Sequence, residues 1–482
     1  MSIRLVDAVD IPILHEVRQI AQKWNIPCYV IGGYVRDYLL KHEKRSDIDI
    51  VVIGDAVKLA KKVAKQLGSD HFAVYKRFGT AMVQVKEWKL EFAMARKESY
   101  APDSRHPEVV PASLEEDWKR RDFTINALTI ALFNGEFGTF YDPFEGVKDL
   151  QRKLIRTPLN PDITFSDDPL RMLRAVRFAT VLQFQIEPNT FKAITRNRHR
   201  IQIISQERIT EEINKILMAD KPSIGFKLLF KTKLLEILFP ELYQLHGVEE
   251  QNGIRHKDNF FHTLKVLDNV AKVSQDLWLR WAALLHDIAK PLTKRFDPEE
   301  GWTFHGHDAV GAEMIPHLFR KWKLPLDERM HRVQTLVRLH LRPIALTKEG
   351  TTDSAIRRLI VEAGDALDAL LTLCRCDLTT RDPEKRERYL KNFDRVEERI
   401  KEVMERDQLR QFQPPIRGEE IMEFFQIPPC RAVGEIKQRI KDAILDGIIP
   451  NEREAAWKYM QQIGPEILKK YNLPFVQSSS RS

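Results

Sequence analysis

Cys28-Tyr-Val-Ile-Gly-Gly-Tyr-Val-Arg-Asp-Tyr-Leu-Leu-Lys-His-Glu-Lys-Arg-Ser-Asp-Ile-Asp-Ile-Val-Val-Ile-Gly54 is the run on which the reading of the chain turns. Tyr29 to Ile31 is apolar enough for a buried strand, Gly32 and Gly33 for a tight turn, Val35 to Leu40 for a short helix and Asp47 to Ile53 for a second strand. Gly-Gly at a strand-to-helix turn lets backbone N–H groups come close to a phosphate, and the helix N-terminus adds a favourable dipole. Side chains two apart on a strand share a face, so Asp47 and Asp49 point into one space beside that turn. Two hard oxygen ligands next to a triphosphate cradle are what Mg²⁺ needs for phosphoryl transfer. Alone, Asp-x-Asp fits a solvated strand edge; preceded by Gly-Gly-x-x-Arg36-Asp37 it favours the catalytic reading.

With 482 residues the chain is long enough for roughly three or four domains. Its 43% hydrophobic and 30% charged residues are those of an ordinary soluble protein, with no apolar run long enough to cross a membrane. Asp7 and Asp10 stand early with no apolar signal core, and Cys28, Cys374, Cys376 and Cys430 make neither a disulfide framework nor a Cys-x-x-Cys metal site. A cytoplasmic setting is expected. The net charge of +8 permits RNA binding without requiring it.

Ile11, Leu14, Val17, Ile20, Ala21 and Trp24 give an amphipathic helix expected to cover the first strand, and Asp55 to Leu67 repeats the pattern. Apolar alternations at 71–75, 80–85 and 89–95 continue the sheet. Residues 96–113, with prolines and serines around Arg105, His106 and Glu108, read as a mobile loop without regular structure. Beyond residue 151 strand signals stop and helical periodicities take over.

The opening run resembles the head of the DNA-polymerase-β nucleotidyltransferase superfamily, and within it the class II CCA-adding enzymes and bacterial poly(A) polymerases. Glu115 to Leu128 resembles the second family motif, which implies that Arg121 and Asp122 meet phosphate and ribose and that Asn126 sits near the triphosphate. Two arginines beside a carboxylate also suit a structural ion-pair network. Asp142 to Leu150 is similar to the third motif, a hinge, and Asp167-Asp168-Pro-Leu-Arg171 to the nucleotide-selecting motif, with Asp167 where the family usually has Glu. Ser205 to Leu217 resembles the last motif, a structural helix read here with a capping box of Ser205 and Arg208; Arg196 to Arg200 is a basic cluster that could track tRNA phosphates or be ordinary exposed charge. By the resemblance Gly32, Gly33 and Arg36 join the nucleotide-binding set, Glu91 is either a third carboxylate or an outward-facing strand residue, and 96–113 is the flexible loop needed to add the final A. After a linker at Pro414-Pro415, 416–461 resembles a small C-terminal helical module, and Gln477 to Ser482 reads as a frayed tail.

Asp168 and Arg171, three apart, would neighbour each other on the first turn of a helix. A carboxylate only accepts and a guanidinium only donates, so this pair suits the amine and ring nitrogen of cytosine or adenine and rejects uracil and guanine. The bland alternative is an N-cap and an intrahelical ion pair.

Residues 262–377 resemble an HD-type metal-dependent phosphohydrolase, on His262, the doublet His286-Asp287 and Asp377, with His307 and His340 where two-metal members add ligands. Imidazole suits transition metals and carboxylate can bridge two of them. A relic domain is the alternative. If active, the resemblance implies a phosphate or 2′,3′-cyclic phosphate substrate and a second divalent metal, Mn, Ni, Co or Fe.

The expected fold class is therefore α+β: a polymerase-β-like sheet-and-helix head at 1–150, then an all-α neck at 151–250, an HD domain at 251–400 and a C-terminal tRNA-binding helical module at 410–475. The implied activity is template-independent addition of CCA to tRNA from CTP and ATP, with Mg²⁺ held by Asp47 and Asp49. Bacterial poly(A) polymerases carry a basic signature near Arg-Arg-Phe-x-Leu-x-His-Val, which Lys76-Arg-Phe-Gly-Thr-Ala-Met-Val83 lacks. A poly(A) polymerase, an enzyme adding only the final A, and an RNA-binding scaffold or hydrolase with a silent head remain the alternatives.

Overall fold

The computed structural model describes residues 3–42, 46–69, 71–75, 79–99, 108–133, 135–255, 258–347, 351–380, 382–407 and 415–473. The chain divides into two compact units, Met1–Gln244 with Lys321–Leu324 and Leu245–Arg320 with Pro325–Ser482. Arg105, His106, the run 76–78, Pro414 and Gln477 to Ser482 lie outside the described residues.

The first unit opens with a mixed seven-stranded sheet of β1 (Cys28–Ile31), β2 (Asp47–Val52), β3 (His71–Tyr75), β4 (Thr80–Val85), β5 (Trp88–Met94), β8 (Thr129–Ala131) and β9 (Phe140–Tyr141), ordered β3-β4-β5-β2-β1-β8-β9. The Cys-Tyr-Val-Ile strand β1 is buried along its length because it lies between β2 and β8. In β2 the period of two shows directly: Ile48 and Ile50 go inward while Asp47 and Asp49 stay open. The Ala56–Gln66 helix, capped by the Asp55 side chain on the Lys58 N–H at 2.8 Å, buries Leu59, Ala60, Val63 and Ala64 over β4 and β5. The Pro12–Lys23 helix, which buries Leu14, Val17, Ile20 and Ala21, packs against it.

Residues 96–113 are not irregular throughout. β6 (Arg96–Ser99) and β7 (Glu108–Pro111) pair antiparallel, from Arg96 opposite Pro111 to Ser99 opposite Glu108. Proline density misled because Pro111 sits at the end of an edge strand, where its missing N–H costs no ladder bond. The tip, 100–107, lies outside the described residues.

The rest of the first unit and nearly all of the second are helical. Three two-stranded ladders interrupt the expected all-helical run: Leu154–Ile155 with Gln185–Ile186, Glu250–Gln251 with Ile254–Arg255, and Arg295–Asp297 with Gly301–Thr303. They are too short for a periodic signal. Ser205 does stand at the N-cap of the Gln206–Leu217 helix, but its hydroxyl caps nothing. A capping box needs an acceptor at the third helical position; Arg208 only donates, and it reaches Asp168 instead, at 3.2 Å. Toward the C-terminus, Gly418–Phe425, Arg431–Leu445 and Arg453–Lys470 close around Ile421, Phe425, Ile436, Ile440 and Met460 as a core of their own.

Candidate functional site

β1 ends at Gly32, whose φ of +78° suits glycine, and a Cβ there would come 3.5 Å from Asp49 Oδ2. The glycine turn and the carboxylate are thus adjacent in space. The Gly33–Leu39 helix leaves this turn and carries Arg36, whose Nη1 donates to Asn126 Oδ1 at 2.9 Å. Asn126 donates to Asp122 Oδ1 at 3.0 Å, and Arg174 Nε donates to Asp122 Oδ2 at 2.7 Å. Arg121 is gripped by Asp117, at 3.1 and 2.8 Å, with Arg120 on the other oxygen. The ion-pair network is therefore real, and it aims Arg121 at the site rather than away from it: one cleft of about 350 Å³ is lined by Gly32, Gly33, Arg36, Asp47, Asp49, Arg121, Asp122 and Asn126.

Burial pushes the Asp49 carboxyl up, partly offset by the Arg121 charge and reinforced by Glu91 and Asp47. Its oxygens open onto the cleft, yet protein crowds it from every other side. Burial opposes charge on Asp122 too, but Arg174 and the Asn126 hydrogen bond outweigh it and bring Asp122 down to about 2. Asp47 and Asp49 form a carboxylate pair suited to a hard divalent cation such as Mg²⁺, facing four guanidiniums, those of Arg36, Arg121, Arg174 and Arg177.

Arg174, Arg177 and Phe178 line this cleft without having been singled out for it; the signal was present, since arginines recur every third residue along the Leu170–Val181 helix. A second cleft, of about 540 Å³, shares Asp49 and Arg121 with the first and runs over β5, β4 and β3 past Glu91, Met82 and Tyr75. Glu91 is thus neither lost to bulk solvent nor remote: it is the register partner of Asp49.

Asp168 and Arg171 share a turn, Arg171 N donating to the Asp168 carbonyl at 3.0 Å, but their side chains turn to different partners. Asp168 precedes the helix with extended backbone (φ −132°, ψ 98°), accepts from Leu170 N at 3.1 Å and meets Arg208. Arg171 is buried and turns to the carbonyls of Arg120, at 2.7 Å, and Thr164, at 3.4 Å. The i,i+3 rule fails because it needs both residues inside the helix. In the basic cluster, Arg196 is tied to Asp162 and Arg200 to the Ser166 carbonyl.

In the second unit the six sequence-chosen ligands converge from five helices or their ends. His262 lies in the Asn259–Val273 helix, His286 caps Leu277–Leu285, His307 begins His307–Lys321, His340 caps Glu328–Leu339 and Asp377 ends Leu367–Asp377. Asp287 is central. Its Oδ2 lies 3.3 Å from His286 Nε2 and 3.5 Å from His262 Nε2, while its Oδ1 lies 3.2 Å from His307 Nε2 and 3.8 Å from His340 Nε2. Asp377 Oδ1 is 2.9 Å from His262 Nε2.

The far ring nitrogens are all engaged: Nδ1 of His286, His307 and His340 contact the carbonyls of Ala283, Phe304 and Val337 at 2.9, 2.7 and 2.7 Å, and that of His262 the Thr379 hydroxyl at 3.0 Å. Nδ1–H donation to a carbonyl leaves the Nε2 lone pair facing the cluster, the tautomer a metal ligand requires. In that tautomer the close contacts of His286 Nε2 with Asp287 and of Asp377 Oδ1 with His262 Nε2 bring acceptor against acceptor, so both buried atoms are left without a hydrogen bond. Unsatisfied buried acceptors of this kind fit a cation, and the ligand atoms fall into two overlapping sets, His262, His286, Asp287 and Asp287, His307, His340. With no cation between them, burial disfavours charge on His286 but Asp287 and then Asp377 raise it to about 8, and burial and the His286 charge push His340 down to about 4, so a metal would take the place of a proton on His286 Nε2. Lys290 Nζ, 2.7 Å from Asp287 Oδ2, was missed; its position three residues after Asp287 was the available signal.

Among the described residues no helix is long and apolar enough to cross a membrane. Family models match at residues 28–156 (Poly A polymerase head domain), 183–245 (Probable RNA and SrmB- binding site of polymerase A) and 259–398 (HD domain). The chain is 31% identical over 435 residues to an A-adding tRNA nucleotidyltransferase of Deinococcus radiodurans, over 88% of this chain and 93% of that protein. It is 31% identical over 442 residues to a CC-adding tRNA nucleotidyltransferase of Thermus thermophilus, over 89% and 92%. The fold is like that of the Bacillus stearothermophilus CCA-adding enzyme solved with CTP, with a TM-score of 0.64 at 24% identity over 95% of this chain and all of the other.

Proposed function

Because the chain belongs to the tRNA nucleotidyltransferase and poly(A) polymerase family, we propose that it adds CCA to tRNA 3′ ends from CTP and ATP, releasing pyrophosphate, in the cytoplasm. The observation that carries this is the juxtaposition of the Gly32 turn with Asp49, at the meeting of two clefts. A reaction of two substrates at one carboxylate pair needs such a geometry. The cleft with the glycine turn and four guanidiniums takes the nucleoside triphosphate; the cleft past Glu91, Met82 and Tyr75 takes the 3′-terminal nucleotide of the tRNA.

Mg²⁺ held by Asp47 and Asp49 supplies charge that favours ionisation of the 3′-hydroxyl and neutralises the triphosphate. Gly32 and Gly33 let the backbone approach the phosphates, and Arg36, Arg121, Arg174 and Arg177 neutralise them. Asn126, held between Arg36 and Asp122, fixes the rotamer of Arg36. Base reading is assigned to Asp168 and Arg171, which requires Arg171 to leave the Arg120 and Thr164 carbonyls that hold it here. The head is assigned to 1–150, the neck to 151–250, the HD domain to 251–400 and a tRNA-binding module to 410–475.

A tRNA lacking its 3′ end, incubated with CTP and ATP and then sequenced, is expected to end in a single CCA. A single A added only to tRNA ending in CC would move the chain to the A-adding group, and a long adenosine tail would make it a poly(A) polymerase.

A second activity is supported by the unsatisfied Nε2 of His286 and Oδ1 of Asp377. A divalent metal, Mn, Ni, Co or Fe, held by His262, His286, Asp287, His307, His340 and Asp377 supplies a Lewis acid for phosphoester hydrolysis. The carbonyls behind His286, His307 and His340 and the Thr379 hydroxyl behind His262 hold the rings, and Lys290 offers a cation beside Asp287 for a phosphate oxygen. Hydrolysis of a 2′,3′-cyclic nucleotide tests this reading. No turnover with any of Mg²⁺, Mn²⁺, Ni²⁺ or Co²⁺ would leave a relic domain.

A further inference from the structure

The Ala56–Gln66 helix carries Lys58, Lys61, Lys62 and Lys65 and no acidic residue, and Lys23 ends the helix packed beside it. Lys58 with Lys62 and Lys61 with Lys65 are like charges four apart, which weaken an exposed helix. Some helical lysines elsewhere find carboxylates, as Lys119 does with Glu116, Lys215 with Glu212 and Lys458 with Glu454. These five have no ion pair among the described residues. In their midst Trp24 is 46% exposed, with Lys62 Nζ 3.0 Å and Lys58 Nζ 5.7 Å from its ring centroid. Lys62 is held below its usual range by partial desolvation and then by the charges of Lys58, Lys23 and Lys65, so the set acts as one electrostatic cluster. None of these residues lines either cleft.

We propose that this face of the head is a separate RNA-binding surface, its lysines tracking a phosphate backbone and Trp24 offering a stacking platform for an unpaired base. Unpaired like charges interleaved with an exposed aromatic ring are the physical requirements of sequence-tolerant RNA contact. A membrane-inserted amphipathic helix buries an apolar face in the lipid, and the 56–66 helix exposes no large apolar side chain.

The test uses the full-length protein and a tRNA transcript lacking its 3′ end, with affinity measured across about 50 to 200 mM salt. In the Lys58→Gln/Lys62→Gln variant the slope of log K on log salt should shrink by about 2 and affinity at mid-range salt should fall roughly tenfold. Trp24→Ala should weaken binding roughly tenfold at unchanged salt slope, with Trp24→Phe restoring it. In both variants KM for tRNA rises while kcat and KM for CTP hold, and unchanged thermal melts separate this from misfolding. An unchanged slope and affinity in the lysine variant would overturn the proposal. So would loss of binding to phosphatidylserine vesicles with tRNA affinity intact, which would assign the face to anionic lipid.

Discussion

Asp49 and Glu91 are register partners on adjacent parallel strands, β2 and β5, and both line the larger cleft. Lys89, two residues before Glu91, lies 2.5 Å from its carboxylate. The carboxylate group at the reacting centre thus extends beyond the Asp47-Asp49 pair, with Lys89 balancing part of its charge.

Asp49→Asn is expected to lower CTP incorporation by at least about 10³-fold, since it removes a ligand that acts on the transition state. Glu91→Gln should cost roughly tenfold, recoverable with more Mg²⁺, if Glu91 supports the metal through the shared cleft. Steady-state incorporation across a Mg²⁺ titration measures both. A Glu91→Gln enzyme with the parent's Mg²⁺ dependence would return Glu91 to the role of an ordinary strand residue.

The head was legible because its signals are local. A period of two set Asp47 and Asp49 on one face, and a glycine pair marked the turn beside them. The histidines and aspartates of the second unit were legible through the likeness of residues 262–377 to HD-type phosphohydrolases, although what holds them was not: 117 residues separate Thr379 from the His262 ring it holds. What was not legible depends on packing between distant segments. Arg171 looks equivalent to Arg174 along the chain, yet the carbonyl of Arg120, 51 residues away, captures it while Arg174 lines the cleft.

Asp168→Ala removes both the proposed base acceptor and a group that caps the 170–181 helix and meets Arg208. The cap alone predicts a stability loss of about 1 kcal/mol. Base reading predicts in addition that the preference for CTP over UTP falls by about 10² or more. A lower melting temperature with undiminished preference would leave Asp168 a cap and nothing else.

His286→Ala is expected to abolish metal-stimulated hydrolysis of a 2′,3′-cyclic nucleotide and to lower bound metal by elemental analysis, while CTP incorporation stays at the parent rate. His307→Ala should retain part of the metal, because the His262, His286 and Asp287 ligand set does not contain it. Equal metal loss in the two variants would argue for one indivisible site.

Gly146→Ala tests how the head holds Asn126. A Cβ at Gly146 would stand 2.5 Å from the Thr124 carbonyl oxygen and 2.9 Å from Leu128 Cδ2, and Thr124 opens the turn that carries Asn126. Backbone cannot yield as a side-chain tip can, so a loss of about 1–3 kcal/mol is expected. Nucleotide KM should rise with it as the turn shifts. Unchanged urea midpoints would show that the turn has slack.

Asp122 links stability to pH. Its carboxyl is held at about 2, below the ordinary 3.8, because Arg174 and hydrogen bonds from Asn126 and Arg174 outweigh burial. A depressed folded-state pKa means that ionised Asp122 stabilises the fold fully above pH 3.8, and that this contribution drains away as pH falls through about 2. At 1.36 kcal/mol per unit the depression corresponds to about 2 kcal/mol. Asp122→Asn, which keeps the shape but not the charge, should therefore be less stable than the parent by about 2 kcal/mol at neutral pH. The gap between the two proteins should hold from pH 7 to about 4 and narrow below it, read as the difference in urea unfolding midpoints at each pH. A gap that stayed constant below pH 4 would mean that Asp122 stabilises through hydrogen-bond geometry alone and that its charge adds nothing.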